Sequence, residues 1–488
     1  MHLKPIPALL LGLVFSGAAQ AAAPVTFNKL WTAPAAVAGF TSEIAAFDSI
    51  NQNLWVAGVN GVDVLNAATG SLLQHIDTTG FGSINSVAIH GGIAAFAIES
   101  TLRTDPGVVK FYDTTTRSLT SGTNSITVGA LPDMLTFTAD GSKLLVANEA
   151  SIGGGIDPAG SVSIINMNTR TVSATAGLAG VPTTGSNIRT FADMDFEPEY
   201  IAVNAAGTQA FVTLQEANAI GILDLNTQQF TSVVGLGTKN FNTAANGIDV
   251  NKSNGAGPLV PVEVSGFYQP DSIAAYEAGG HTYYVIANEG DSREDESDEI
   301  DAEDVPGAAF PTGGGKLTVS KPDSSAGNLV AFGARSFSIL DDGGNFVFDS
   351  GNQLDAEAIL RGIYDDGRSD NKGVEPEGVE IMDIGGRTYA FIGLERTLKA
   401  AIAIYDITDP ANASFVDMIV TDGDRAPEGL KGFTIGGISY LAIANEVSNT
   451  TTLYQLTAAV PEPETYAMLL AGLGLVGFMA RRRKARLG

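Results

Sequence analysis

Pro427-Glu428-Gly429-Leu430-Lys431-Gly432-Phe433-Thr434-Ile435-Gly436-Gly437-Ile438-Ser439-Tyr440-Leu441-Ala442-Ile443-Ala444-Asn445-Glu446 is the stretch that decides the fold. An acid opens it, an extended run of about seven residues follows, Gly436-Gly437 turns the chain, and a second apolar run ends in Asn-Glu. Two β-forming runs around a Gly-Gly pair read as a β-hairpin. The same design recurs with its two acids at Asp133 and Glu149, Glu199 and Glu216, Asp271 and Glu289, and Glu377 and Glu395. From first acid to second the spacing is 16, 17, 18, 18 and, in the quoted copy, 18 residues. In an antiparallel hairpin the first residue of one strand lies beside the last of the next. Each acidic pair is therefore expected at one end of its hairpin.

Working outward, each hairpin is followed by two more short strand patterns, and seven such units can be counted. They begin near residues 43, 85, 132, 198, 270, 376 and 428. The seventh is one strand short, and an unpartnered strand pattern at 26–31 is available to complete it. Seven four-stranded units with a borrowed N-terminal strand read as an all-β, seven-bladed β-propeller whose ring leaves no open sheet edge. A stack of hairpins in a β-solenoid is the competing architecture, although solenoid repeats are shorter and more uniform. The long insertions at 150–159, 176–197, 235–269, 290–335 and 350–375 fall between second and third strands or between units. Both kinds of connection emerge on the face that carries the acidic pairs, which marks it as the functional face.

The 488 residues include 57 Gly and 20 Pro, are 44% hydrophobic, and contain no Cys. Thiolate metal sites, Cys nucleophiles and disulfides are thereby excluded. Formal net charge is −27; setting aside six basic and two acidic residues of the two ends leaves −31 on residues 22–460. Such a body repels nucleic acid and attracts cations. Of four His, His2 lies in the N-terminal apolar segment, His90 and His281 fall at turns on the opposite face, and His75 on an outer strand. That distribution argues against a zinc site or a Ser-His-Asp triad.

The ends are distinct from the body. Residues 1–21 carry Lys4, an apolar run at 8–15 and the small-x-small site Ala19-Gln20-Ala21, the pattern of a secretory signal peptide for the Sec pathway. The C-terminus carries Val460-Pro461-Glu462-Pro463, an apolar segment at 466–480 and Arg481-Arg482-Arg483-Lys484. A span normally needs about 20 apolar residues, so this one is short, and the basic block marks its cytoplasmic side. The three parts in this order resemble the Pro-Glu-Pro C-terminal (PEP-CTERM) sorting signal of Gram-negative bacteria. The resemblance implies an exosortase as processing partner, membrane anchoring through 466–480 before processing, and a destination at the cell surface or in the extracellular matrix. The expected organisation is signal peptide 1–21, propeller 22–459 and sorting signal 460–488.

Three groups of residues can carry chemistry. The hairpin acids Glu289, Glu377, Glu395, Glu428 and Glu446, with Asp291, are candidate ligands for Ca²⁺, which takes six to eight oxygens. The acid-rich loop 290–304 offers more carboxylates but lacks the spacing of an EF-hand. In 365–377, Arg368, Asp370 and Lys372 mix both charges beside the expected mouth and suit a metal-bridged phosphate. These three are the candidate catalytic residues of a metal-dependent phosphoesterase acting on a phosphorylated small molecule. Each group also has a structural reading: carboxylates at strand ends accept turn N–H groups, and acidic loops are often merely solvated. Paired carboxylates could equally serve glycoside hydrolysis.

Several stretches together resemble one family: Phe267-Tyr268-Gln269-Pro270-Asp271, Ala287-Asn288-Glu289-Gly290-Asp291-Ser292-Arg293, Arg368-Ser369-Asp370-Asn371-Lys372-Gly373, Glu375-Pro376-Glu377-Gly378, Ala426-Pro427-Glu428-Gly429-Leu430 and Ala444-Asn445-Glu446-Val447-Ser448. They look like the choice-of-anchor I domain over roughly residues 27–457. That domain is similar to mesenchyme-specific cell-surface glycoproteins and to atypical alkaline phosphatases, and the hairpins resemble YVTN-type propeller repeats. The resemblance implies an exported propeller whose anchor differs between members. Two functions follow as expectations: a surface module binding Ca²⁺ and a partner such as polysaccharide, or a phosphoesterase at the same mouth. A purely structural role in the matrix is the third.

Overall fold

A computed structural model describes residues 25–189, 196–252, 254–293, 298–310 and 316–458. The signal-peptide and sorting-tail readings, and the centre of the acidic loop at 294–297, lie outside the described residues. Within them, Val25–Ala458 forms one compact unit.

Seven antiparallel sheets follow one another along the chain, with inner strands Ala45–Asp48, Ile84–His90, Pro132–Phe137, Ile201–Val203, Ile273–Ala278, Pro376–Ile384 and Pro427–Ile435. Each sheet is four-stranded at heart; the second gains Ser118–Leu119 at its side, and the fourth gains Thr183–Ser186 as a parallel edge. In the last blade Val25–Pro34 pairs antiparallel with Thr450–Ala458, from Val25 opposite Ala458 to Pro34 opposite Thr450. The strand expected to close the ring therefore does so.

Alternation of apolar residues along these strands packs each blade against the next on both faces. Seven apolar clusters result, one at each junction. That between the seventh and first blades joins Phe433, Ala442 and Leu453 to Ala45, Leu54 and Val56. The ring is thus closed twice, by backbone pairing within a blade and by side-chain packing between blades.

An eighth cluster belongs to something the sequence reading treated as loops. Insertions 235–269 and 290–335 build an accessory sheet from Thr238–Asn240, Ser265–Phe267, Val330–Ala331, Thr318–Ser320 and Glu299–Asp301. Phe241, Val262, Leu317 and Val319 fill its core. Arg189, 2% exposed, fastens it: its guanidinium pairs with buried Asp298 and donates to Asp323 at 3.1 Å. The described part of the acidic loop 290–304 is therefore built into the fold, with Asp298 at a buried ion pair and 299–301 in the sheet. Insertion 350–375 likewise contains a short helix, Gln353–Leu360.

Candidate functional site: an acidic mouth above an apolar channel

The inner strands begin with a recurring backbone device. In blades three, six and seven the pairing register slips between Pro132 and Leu135, Pro376 and Val379, and Pro427 and Leu430. Each slip is a β-bulge containing the first acid, Asp133, Glu377 or Glu428. Bulges re-aim side chains, and here they turn the acid out of the blade-to-blade core and toward the central cavity. The residue before each Pro is left-handed: Leu131 (φ 41°), Gln269 (φ 44°), Glu375 (φ 49°) and Ala426 (φ 54°). Their carbonyls accept the N–H of Glu149 (2.9 Å), Gly290 (3.1 Å), Glu395 (2.9 Å) and Glu446 (2.8 Å). First and second acids are thus tied together through the backbone. The Asn preceding the second acid is fully buried at 148, 288 and 445. Asn148 donates to Ser161 and Ser163, and Asn288 to Ser336 and Ser338, locking the strand end to its neighbour.

The result is two tiers of carboxylates around one cavity of ≈ 780 Å³. Glu43, Asp133, Glu199, Asp271, Glu377 and Glu428 form the inner tier, and Glu99, Glu149, Glu216, Glu289 and Glu395 of the outer tier also line it. Glu446, the last hairpin's second acid, interacts with Glu43 and Glu428. The sequence pattern found five pairs; Glu43 and Glu99 escaped it because the first two blades lack the acid-to-acid spacing. Blade one ends its second strand without an acid, and blade two opens with Asn85.

Crowding and burial raise these groups together. Burial first, then mutual repulsion, holds Glu199, Glu216, Asp271, Glu377 and Glu428 well above the ordinary carboxylate range. Glu43, Glu149 and Glu395 are pushed up to about 8, and Asp133 and Asp291 to about 6. Burial is the largest cause in each.

Positive charge answers only part of the ring. Lys372 lies 3.0 Å from Glu289, 3.2 Å from Glu375 and 3.6 Å from Asp291. Burial opposes its charge, but these three carboxylates outweigh burial and hold it protonated. Arg368 pairs with Glu375 at 2.6 Å and Arg396 with Glu395 at 2.7 Å. Asp370, the third residue of the expected catalytic group, turns to Lys252 at 2.6 Å. Glu289, Glu375 and Glu395 are the trio whose oxygens lie within 4.8 Å of one another, close enough to share an ion. On the adjoining fourth blade, where Gln215 donates to Glu289 at 2.8 Å, Glu199 and Glu216 are each 8% exposed, and no ion pair reaches either among the described residues. One oxygen of each, and one of Glu377, has no hydrogen-bond partner among those residues. His75, by contrast, is occupied on an outer strand by Asp63 at 2.7 Å.

Fold and mouth together define a seven-bladed β-propeller with an acidic central opening. The chain belongs to the choice-of-anchor I domain family, whose model matches residues 43–410, and it carries a PEP-CTERM protein-sorting motif at 459–484. It is therefore an exported propeller with a C-terminal signal for surface sorting. The propeller continues past both ends of the family match: the seventh blade's strand Val25–Pro34 precedes residue 43, and its other three strands follow residue 410. No match is found among curated proteins. Among solved structures the chain is similar to Kuenenia stuttgartiensis hydrazine synthase, with 11% identity over 87% of this chain and 97% of that one, TM-score 0.51. It is also similar to the Myceliophteria thermophila Cps50 (Swd1) β-propeller domain, with 11% identity over 89% and 100%, TM-score 0.47. At such identity the first likeness speaks to fold alone. No helix among the described residues is long and apolar enough to cross a membrane.

Proposed function

We propose that this exported propeller binds Ca²⁺ at its acidic mouth and, through the ion, an extracellular partner such as a polysaccharide. The observation that carries the reading is the pair of unpartnered carboxylate oxygens on Glu199 and Glu216, both buried against the cavity. Buried charge without a partner is strongly unfavourable, and a hard cation with six to eight oxygen ligands answers it. Glu377, Glu428 and Glu446 stand in the same rings, while Glu289, Glu395 and Asp291 border the part already neutralised by Lys372 and Arg396. Ligand positions left open toward solvent would accept sugar hydroxyls or carboxylates. In the same reading, residues 1–21 are removed as a Sec signal peptide, 22–459 is the working domain, and an exosortase processes 460–488.

A second reading, phosphoesterase activity, draws on one observation: Glu289, Glu375 and Glu395 sit close enough to hold an ion beside Lys372, Arg368 and Arg396. Metal analysis of the purified protein, with p-nitrophenyl phosphate turnover before and after chelation, separates the two. Bound calcium without turnover supports the binding module. Chelator-sensitive turnover supports the enzyme, and no bound metal with no turnover overturns both.

A further inference from the structure

Beneath the mouth the inner strands enclose a second cavity of ≈ 450 Å³ that runs down the propeller axis. Ile44, Ser86, Met134, Tyr200 and Glu428 line both cavities, so the two are continuous. Apolar residues of the inner strands outnumber polar ones in the lower wall: Ala46, Ala88, Ala202 and Ala274 stand beside Thr136 and Ser272, and Val87, Leu135 and Ile273 reach it from the blade-to-blade cores. Its one opposed pair of charges, Glu380 and Lys431, is mutually satisfied at 3.2 Å. An acidic collar therefore opens directly into an apolar tube, within the size range of small-molecule sites.

We propose that mouth and channel form one site for an amphiphilic primary ammonium, its head among the carboxylates and its unbranched aliphatic tail in the channel. The trio close enough to share a bare ion is already met by Lys372, Arg368 and Arg396. The orphaned oxygens belong instead to Glu199 and Glu216 of the fourth blade and Glu377 of the sixth. An ammonium carries three N–H donors, and the hairpin that ends in Glu199 and Glu216 offers it two orphaned acceptors at the cavity wall. The tail removes apolar wall from water, a gain that no metal ion can draw from this channel. The inference does not depend on calcium being the mouth's natural ion.

The test is calorimetric titration of the full chain with butyl-, hexyl- and octylammonium chloride in chelator. Each added methylene should tighten binding about fourfold, the equivalent of ~0.8 kcal/mol per buried CH₂. Glu199→Gln should weaken the whole series. Ala274→Leu, which narrows the channel, should weaken octylammonium at least about tenfold and butylammonium less than about twofold. Affinity independent of chain length, or a Glu199→Gln variant that binds as before, overturns the proposal. If Ala274→Leu does not fold, the chain-length series on the unaltered protein still decides. Chain-length dependence without any calcium binding removes the calcium reading and leaves this one. Calcium binding with no chain-length dependence does the reverse.

Discussion

Raising the pH of the cation-free protein should loosen it, the opposite of the behaviour of ordinary paired carboxylates. Glu395 illustrates the sign. Burial and Glu289 push it up to about 8 against 4.5 for an unperturbed Glu, and it is 6% exposed. Between those two values the folded chain holds a proton that the unfolded chain has released, so stability falls as pH rises through the window. For one such group the loss between pH 5 and 7.5 is on the order of 3 kcal/mol. Unfolding entropy of about 2.1 cal/mol/K per residue gives Val25–Ala458 roughly 0.9 kcal/mol/K. The melting temperature should then fall by about 3 °C for Glu395 alone. Glu43 and Glu149, also pushed up to about 8, act in the same direction. Because the groups repel one another their effects do not simply add, and a total drop of roughly 3–10 °C is expected. Scanning calorimetry in chelator at pH 5, 6, 7 and 8 measures it directly. Calcium should flatten the slope, since it binds the deprotonated carboxylates: at a hundredfold excess over Kd it adds ~2.7 kcal/mol, about 3 °C, at pH 8 and far less at pH 5. A cation-free melting temperature that is flat or rises with pH would refute the reasoning.

Three further outcomes follow from the same geometry. Glu216→Gln removes a buried, unpaired carboxyl group from the fourth blade; in chelator at pH 8 it should raise the melting temperature by a few degrees while weakening calcium binding at least about tenfold, both read by calorimetry. Deleting Val25–Pro34 strips the partner from Thr450–Ala458 and exposes a sheet edge; a loss on the order of 5 kcal/mol and self-association in sedimentation are expected. Arg189→Met leaves buried Asp298 without its ion pair and should cost about 3–5 kcal/mol, with proteolysis appearing first in the accessory sheet at 298–331 and the seven blades intact.

The blades were legible because their signal is local and repeated: alternating apolar runs, Gly-Gly turns and near-constant acid spacing. Ring closure was legible for the same reason, since seven units minus one strand leaves a gap that 26–31 fills. The accessory sheet was not. Its strands are two or three residues long, too short for periodicity, and its order mixes segments from two insertions separated by a blade hairpin. The bulges were hidden too, because Pro-Glu-Gly breaks the alternation where the acid is re-aimed. Charge neutralisation needed the fold outright: Lys372 meets Glu289 from 83 residues away, while its neighbour Asp370 turns toward Lys252. Sequence proximity had grouped Arg368, Asp370 and Lys372; the structure groups Arg368 and Lys372 around Glu375.

The mouth accumulates unfavourable terms that the propeller itself does not require. Each left-handed residue at Leu131, Gln269, Glu375 and Ala426 costs about 1–2 kcal/mol relative to an ordinary conformation. Each bulge gives up regular pairing at the start of an inner strand, and each carboxylate placed there raises its neighbours. A hairpin with apolar ends and unbroken register would close the same ring at lower cost. Strain repeated on four blades, all of it serving to hold first and second acids at one opening, is therefore an argument about occupancy. The deformation lowers free energy only when something positive fills the opening. With Glu199, Glu216 and Glu377 keeping oxygens unpartnered among the described residues, the protein's own cations do not complete that task.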